Sequence, residues 1–328
     1  MLRPLFPSRE EGFSLRDGRL NMSDIHPDGL DYLPASEAFL EPDRADADRP
    51  HEARAVVIPF GLEASVTYGT GTAAGPAAIL AASHQLELFD EELWREPYLD
   101  YGIATLRPPV IEKPLAAALD QLAGIVGTVL AQNRFPFVLG GEHSLTAGAI
   151  RPFAAAYPDL VVLQFDAHAD LRDGYLGEHY SHASAMRRVL DHENVKLVSV
   201  GIRAISSEEV AYLEANRHRI HIRWAKDQAQ WDIEEIVAPL RGRPVYVTFD
   251  IDGLDSAVMP ATGTPTPGGL QYLQALAILK RAAEVSRIVG ADLVELAPIQ
   301  GLHFADYTAA ALAYKMMSYA LSGTQPRP

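Results

Sequence analysis

Asp166, His168 and Asp170 follow one another at alternate positions, directly after the apolar run 161–165 (VVLQF). An extended chain sends alternate side chains to one face, so three metal-ligating groups emerge together where a buried strand runs out. Carboxylates crowded into a half-buried place repel one another and lose hydration, and a bound cation removes that cost. A lone DxH or HxD would read as a solvated turn, whereas three alternating ligands straight after an apolar run read as a metal site. The pattern recurs: Asp250 and Asp252 follow VYVTF two residues apart, His143 follows FVLGGE, and Glu295 ends VGADLVEL. Carboxylates and imidazoles without sulfur suit a hard-to-borderline divalent ion. The four aspartates carry more charge than one such ion needs, so a pair of ions fits better. Mn²⁺ is the first choice, ahead of Zn²⁺, Ni²⁺ and Fe²⁺. A water between two such ions becomes nucleophilic near neutral pH and attacks a trigonal carbon, which is the chemistry of a metal-assisted hydrolase.

Each of these groups needs a strand end to present it. The segments 53–60, 134–144, 161–165, 196–203, 219–225, 244–252 and 288–298 read as strands. The segments 77–93, 114–133, 144–157, 206–218, 231–241, 270–286 and 306–321 read as helices, with Ser144 or Thr146 and Ser206 as caps. The alternation predicts an α/β fold, a mainly parallel sheet in three α/β/α layers, with ligands beyond the carboxyl ends of the strands. No boundary interrupts it, so residues 51–328 read as one domain, preceded by an irregular arm over 1–50. The Gly/Thr-rich loop 61–76 carries neither phosphate-binding fingerprint and reads as a flexible substrate-proximal loop or lid.

At 328 residues and 48% hydrophobic, the chain can bury a large core. It has no Cys, which excludes disulfides, thiolate metal sites and a Cys nucleophile and fits a reducing cytoplasm. No stretch reads as a membrane span or a signal peptide. The formal charge of −15 argues against nucleic-acid binding and favours cationic ligands.

The blocks GGEHS (140–144), FDAHADLRD (165–173), SHASAMRR (181–188), FDIDGLDSAVMPATGTPTPGG (249–269) and VEL (294–296) resemble the ureohydrolase family, which includes arginases and agmatinases. The loop-and-helix stretch 66–93 and the closing helix resemble the agmatinase branch. The resemblance covers about residues 55 to 320 and implies an arginase-like fold, two Mn²⁺ per subunit and hydrolysis of a guanidino group to urea and an amine. It implies that His143 and Asp170 bind one ion, His168 and Asp252 the other, and that Asp166 and Asp250 bridge. It further implies that Glu295 grips the substrate guanidinium, that His182 serves near the departing amine with His179 mainly structural, and that Thr264 stands near the metals. Trimers or hexamers are implied as well, with GIR (201–203) and the N-terminal arm as contact candidates.

Where arginase-type chains carry residues that hold an amino-acid head, this one has Leu171, Arg172 and Asp173. Agmatine is therefore the expected substrate, giving putrescine. The alternatives are N1-aminopropylagmatine and, were Arg172 to point into the site, a carboxylate-tailed guanidino acid such as guanidinobutyrate. Paired with an acid, Arg172 is neutral to that question. Glu63 is a candidate partner for a cationic tail, and His303 and Asp306 stand where an Asp would be usual for tail recognition. More distant readings are a single-zinc amide deacetylase and a metal-stabilised protein without catalysis.

Overall fold

In a computed structural model, which describes residues 28–323, the apolar runs of the sequence become strands that are mostly buried along both faces. The strands are β1 (Ala55–Phe60), β2 (Ile103–Thr105), β3 (Phe135–Gly140), β4 (Val161–Phe165), β5 (Lys196–Ile202), β6 (Ile220–Trp224), β7 (Pro244–Asp250) and β8 (Arg287–Val294). They form one sheet in the order β2-β1-β3-β8-β7-β4-β5-β6, and every neighbouring pair is parallel. The helices are α1 (Gly75–Ser83), α2 (Tyr98–Tyr101), α3 (Leu115–Ala131), α4 (Thr146–Ala156), α5 (Ala185–Val189), α6 (Ser207–Ala215), α7 (Ile233–Val237), α8 (Tyr272–Val285) and α9 (His303–Ser322).

Alternation along each strand feeds two separate cores. Val161, Leu163 and Phe165 pack into the core that also holds the buried faces of α1, α2, α7, α8 and α9. Val162 joins the core that holds the faces of α3, α4, α5 and α6. This is the expected three-layer arrangement, built because a parallel strand with no solvated face must be covered twice.

Several local expectations change. Helix α1 stops at Ser83 instead of running to 93; farther along, Asp90 Oδ1 accepts the amides of Glu92 (2.9 Å) and Leu93 (2.8 Å) and holds residues 90–93 in a turn. Neither Ser144 nor Thr146 caps α4, since their hydroxyls donate to Glu142 (2.5 Å) and Asp292 (2.9 Å) instead. The predicted helix 231–241 divides into α7 and a 3-10 turn, Ala238–Leu240, that contains Pro239. The three-residue edge strand β2 and the four-residue α2 carry no sequence signal, being too short to show a period.

Of the expected arm, residues 1–27 lie outside the described residues. In the remainder Phe39 and Leu40 are fully buried. Arg44 donates to the carbonyls of Phe39 (2.9 Å) and Ile103 (2.6 Å), tying this stretch to the sheet edge. In GIR, Gly201 and Ile202 are buried and the partly buried Arg203 donates to the carbonyls of Asp252 and Thr266, each at 2.7 Å. Among the described residues, no helix is long and apolar enough to cross a membrane.

Candidate metal centre and active site

The path of the chain through the sheet creates the site. After β3 the chain does not pair β4 beside it; it leaves room for two strands, builds β4, β5 and β6 outward, then returns to fill the gap with β7 and β8. The four adjacent strands β3, β8, β7 and β4 therefore end side by side at a topological switch point, where an open α/β sheet forms its cleft. His143, Glu295, the pair Asp250 and Asp252, and the trio Asp166, His168 and Asp170 follow those four ends in that order. Phe165 and Phe249 are register partners across β4 and β7, and their rings stack at 4.8 Å. That stack fixes the two strands so that Asp166 and Asp250, the next residues along, stand abreast.

The donor atoms converge in two groups, His143 with Asp166 and Asp170, and His168 with Asp166 and Asp252. Asp166 belongs to both. Asp250 Oδ2 approaches the first group, 3.4 Å from His143 Nδ1, and Asp250 Oδ1 accepts the Asp252 amide at 2.9 Å. Around His143 the hydrogen bonding is decisive. Its Nε2 lies 2.9 Å from Thr248 Oγ1, whose own proton goes to Asp292 Oδ1 at 2.6 Å, so Nε2 must be the protonated nitrogen. In the neutral ring Nδ1 then carries a lone pair, is buried without a hydrogen bond, and faces oxygens of Asp166 (3.2 Å), Asp170 (3.1 Å) and Asp250 (3.4 Å). Without metal, burial is outweighed by those carboxylates, which push the imidazole well above its ordinary value and hold it in its charged form. A lone pair ringed by carboxylates is repulsive unless a cation lies among them, so the residues present fit a divalent metal pair.

Charge crowding tells the same story. Burial, and then Asp166, push the Asp170 carboxyl up to about 7. Burial likewise raises Glu295 to about 8, and it raises Asp250 well above the carboxylate range, with Asp252 and Asp166 adding to it. Burial opposes the charged form of His168, but Asp252 and Asp166 outweigh it and push the imidazole up to about 12. Metal-free, the cluster holds protons where it is built to hold cations. Two of its acids also sit on left-handed backbone, Asp170 at φ 53° and Glu295 at φ 66°, conformations that non-glycine residues keep only where their surroundings enforce them. At Glu295 the enforcement is visible: its amide donates to Gly141 O (2.8 Å), and its Oε1 accepts the His143 amide (2.7 Å). A side chain at Gly141 would collide with the Leu62 carbonyl, which explains the second glycine of GGEHS.

The centre forms the floor of a pocket of about 500 Å³, which Glu295, His182 and Thr264 also line. Thr264 Oγ1 is 3.5 Å from Asp252 Oδ2, a loose contact consistent with holding its loop. His182 is partly buried and its imidazole is held below the ordinary histidine value, mainly by that burial. His179 is exposed against Arg188 and does not line the pocket.

At the mouth, Arg172 lines the wall but donates to Glu208 (2.6 Å) and stacks on Tyr175 at 4.6 Å. Glu63 does not reach the pocket. Its Oε2 accepts from the Gly71 amide (2.9 Å), the Thr72 hydroxyl (3.0 Å) and the Ala73 amide (2.9 Å), pinning the loop from within. His303 and Asp306 line a separate groove between α1 and α9 and are not part of the site. The loop 61–76 lines the mouth through Val66, Thr67, Tyr68 and Gly69.

Several contributors escape the sequence reading. Gln164 donates to Asp166 Oδ2 (2.8 Å) and accepts from Ser199 (2.6 Å); its signal is a polar residue inside the buried run VVLQF. Asp292 gives the same kind of signal inside β8, where it accepts from Thr146, Tyr246 and Thr248. Glu209 accepts the amides of Leu171 (2.8 Å) and Ser206 (2.6 Å), anchoring the end of the ligand loop to α6. Ser65 and Glu142, which meet at His182, leave no such mark.

A wholly parallel sheet with nitrogen and carboxylate donors at four adjacent strand ends has the layout of a metal-dependent α/β hydrolase. Residues 53–321 match the arginase family. The chain belongs to that family and is an arginase-family ureohydrolase, a hydrolase of guanidino C–N bonds. It is 37% identical to the N(1)-aminopropylagmatine ureohydrolase of Synechocystis sp. over 277 residues, covering 82% of this chain and 89% of that protein. It is 36% identical to the agmatinase of Bacillus subtilis over 266 residues, 77% of this chain and 87% of that protein. Among solved structures, the agmatine ureohydrolase of Thermoplasma volcanium superposes with a TM-score of 0.74 at 28% identity, over 84% of this chain and 94% of the other. The arginase of Bacillus caldovelox gives 0.69 at 25% identity, over 80% and 98%.

Proposed function

We propose that the protein hydrolyses agmatine to urea and putrescine with two Mn²⁺ ions at the strand-end cluster. The observation that carries the metal part is the bare His143 Nδ1 ringed by Asp166, Asp170 and Asp250 while its other nitrogen is spent on Thr248. His143 and Asp170 would hold one ion, His168 and Asp252 the other, with Asp166 and Asp250 shared. When bound, the ion pair supplies Lewis acidity and a water made nucleophilic at neutral pH.

The chain's own groups do the rest. Glu295, buried and aimed by the His143 amide, accepts hydrogen bonds from the planar guanidinium and turns its central carbon toward the floor. As that carbon becomes tetrahedral, the same carboxylate keeps accepting hydrogen bonds from its amino nitrogens and holds the adduct over the floor. His182, neutral at rest, takes up on its pocket-facing nitrogen the proton released as water adds to the carbon and passes it to the departing amine nitrogen, a relay suited to an imidazole held below its ordinary value. The Arg172–Glu208 pair offsets the Arg172 charge and so removes the argument for a carboxylate-tailed substrate, leaving the agmatine expectation in place. A second reading, N1-aminopropylagmatine, is favoured by the roughly 500 Å³ of space and by the tyrosines Tyr68 and Tyr175 on the wall, whose faces suit a longer polyamine.

Urea release by Mn²⁺-loaded protein against agmatine, N1-aminopropylagmatine, guanidinobutyrate and arginine tests these readings, with Asp252→Ala as control. Agmatine is expected to give the highest kcat/KM. A preference for guanidinobutyrate would overturn the amine-tail reading and place Arg172 in contact with substrate.

A further inference from the structure

We infer that Ser65, fixed by the buried carboxylate of Glu142, is a positioning residue that sets the ring orientation and tautomer of His182. The inference rests on the reading above, in which His182 protonates the departing amine.

Glu142 is completely buried and its oxygens are fully engaged. Oε2 accepts the amides of Ala64 and Ser65, both at 2.6 Å, and Oε1 accepts the hydroxyls of Ser65 (2.9 Å) and Ser144 (2.5 Å). A hydroxyl has one proton to give and two lone pairs to offer. The Ser65 proton goes to Glu142, because otherwise two oxygen lone pairs would face each other at 2.9 Å and a buried carboxylate would lose a donor. Both remaining positions on Ser65 Oγ are taken by His182, whose backbone amide lies at 2.9 Å and whose Nδ1 lies at 3.1 Å. Ser181 Oγ, at 3.4 Å from the same Nδ1, is the longer contact. Nδ1 must then carry the proton, so Nε2 is the nitrogen left for the pocket that His182 lines.

One oxygen thus grips both the main chain and the ring of His182. A purely structural role for Ser65 is separable from this one. The two amides that bind Glu142 Oε2 hold the loop 61–76 without the hydroxyl, and they survive in Ser65→Ala.

The test uses the full chain, with ¹⁵N-labelled histidine read by NMR in the Zn²⁺-loaded state and urea-release kinetics in the Mn²⁺-loaded state. His182 is assigned by His182→Asn. In the parent protein, the His182 signal is expected to show Nδ1–H with an unprotonated Nε2. In Ser65→Ala it is expected to shift toward the Nε2–H form, with kcat down about tenfold or more and KM within about twofold, and Ser65→Thr is expected to restore both. A parent His182 protonated on Nε2, or a Ser65→Ala protein with the parent tautomer and the parent kcat, would overturn the inference. The parent spectrum decides the matter even if Ser65→Ala does not fold. No urea from any guanidino substrate, together with the expected tautomer change, would sink the functional reading and leave the positioning role standing.

Discussion

The floor and the mouth of the pocket are built by opposite means. Every candidate ligand on the floor sits at or just beyond the end of one of four adjacent parallel strands, among groups that are mostly buried. The mouth is made of loops and carries exposed side chains, Tyr68 at 82% among them. On the floor, strand register sets Asp166 and Asp250, and the short loop that carries His168 and Asp170 is tied at its end by Glu209. At the mouth, position depends on single acids such as Glu63 and Glu209 that bind backbone amides of their loops. Chemistry is therefore assigned to the rigid part, and the choice of substrate tail to the part that tolerates change.

That contrast can be broken by substitution. Asp252→Ala removes a donor of the floor, and urea release is expected to fall to background, with one metal equivalent lost by elemental analysis. Glu295→Gln keeps the ligands but blunts the grip on the guanidinium; kcat/KM is expected to drop by about 10²- to 10³-fold with metal content unchanged. Thr248→Val acts one layer deeper, freeing the His143 tautomer, and metal affinity by titration is expected to weaken by about 10- to 100-fold.

Acidity sharpens the comparison. In the metal-free fold, Asp170 is raised to about 7 and Glu295 to about 8, so both hold protons that the unfolded chain has released near their ordinary values. His168, raised to about 12, also holds its proton longer when folded. The folded state then binds more protons than the unfolded state between about pH 5 and 8, and metal-free stability must fall as pH rises through that window. The lowered Asp166 opposes this only near and below its ordinary value. Metal binding needs the deprotonated ligands, so the gap in Tm between loaded and stripped protein is expected to widen with pH; a gap that narrows would contradict the floor as drawn. The smallest effect belongs to the mouth. Arg172→Ala breaks one ion pair with an exposed Glu208 and is expected to change agmatine kcat/KM by less than about fivefold.

The floor was legible in the sequence because strand ends and the residues that follow them are local features. DAHAD after VVLQF states where the strand ends and that ligands follow it, and FDID repeats the statement; the expected extended alternation does not hold, since Asp170 joins the cluster on left-handed backbone at φ 53°. The sheet's layers were legible for the same reason. The mouth was not, because Glu63 acts on backbone groups within its own loop and Glu209 and Arg203 on those of neighbouring loops, and nothing in a loop's composition says which acid will turn inward. The link from Glu142 through Ser65 to His182 spans 117 residues between its last two members, and no periodicity reaches that far. Arg172 lay between these cases: its type raised the right question, and only Glu208, 36 residues on, answered it.

The strand order also governs when the site comes into being. Until residues 244–294 have been made, β3 and β4 each present an open edge toward a space that only β7 and β8 fill. A growing chain can complete both outer wings of the sheet and still hold its histidines and aspartates in two unconnected halves. Such a chain has bare strand edges that invite pairing with other chains, and it lacks the cluster that metal would knit together. Insertion of the last two strands closes the edges and assembles the ligands in one event, so ion capture reports that the central sheet is complete.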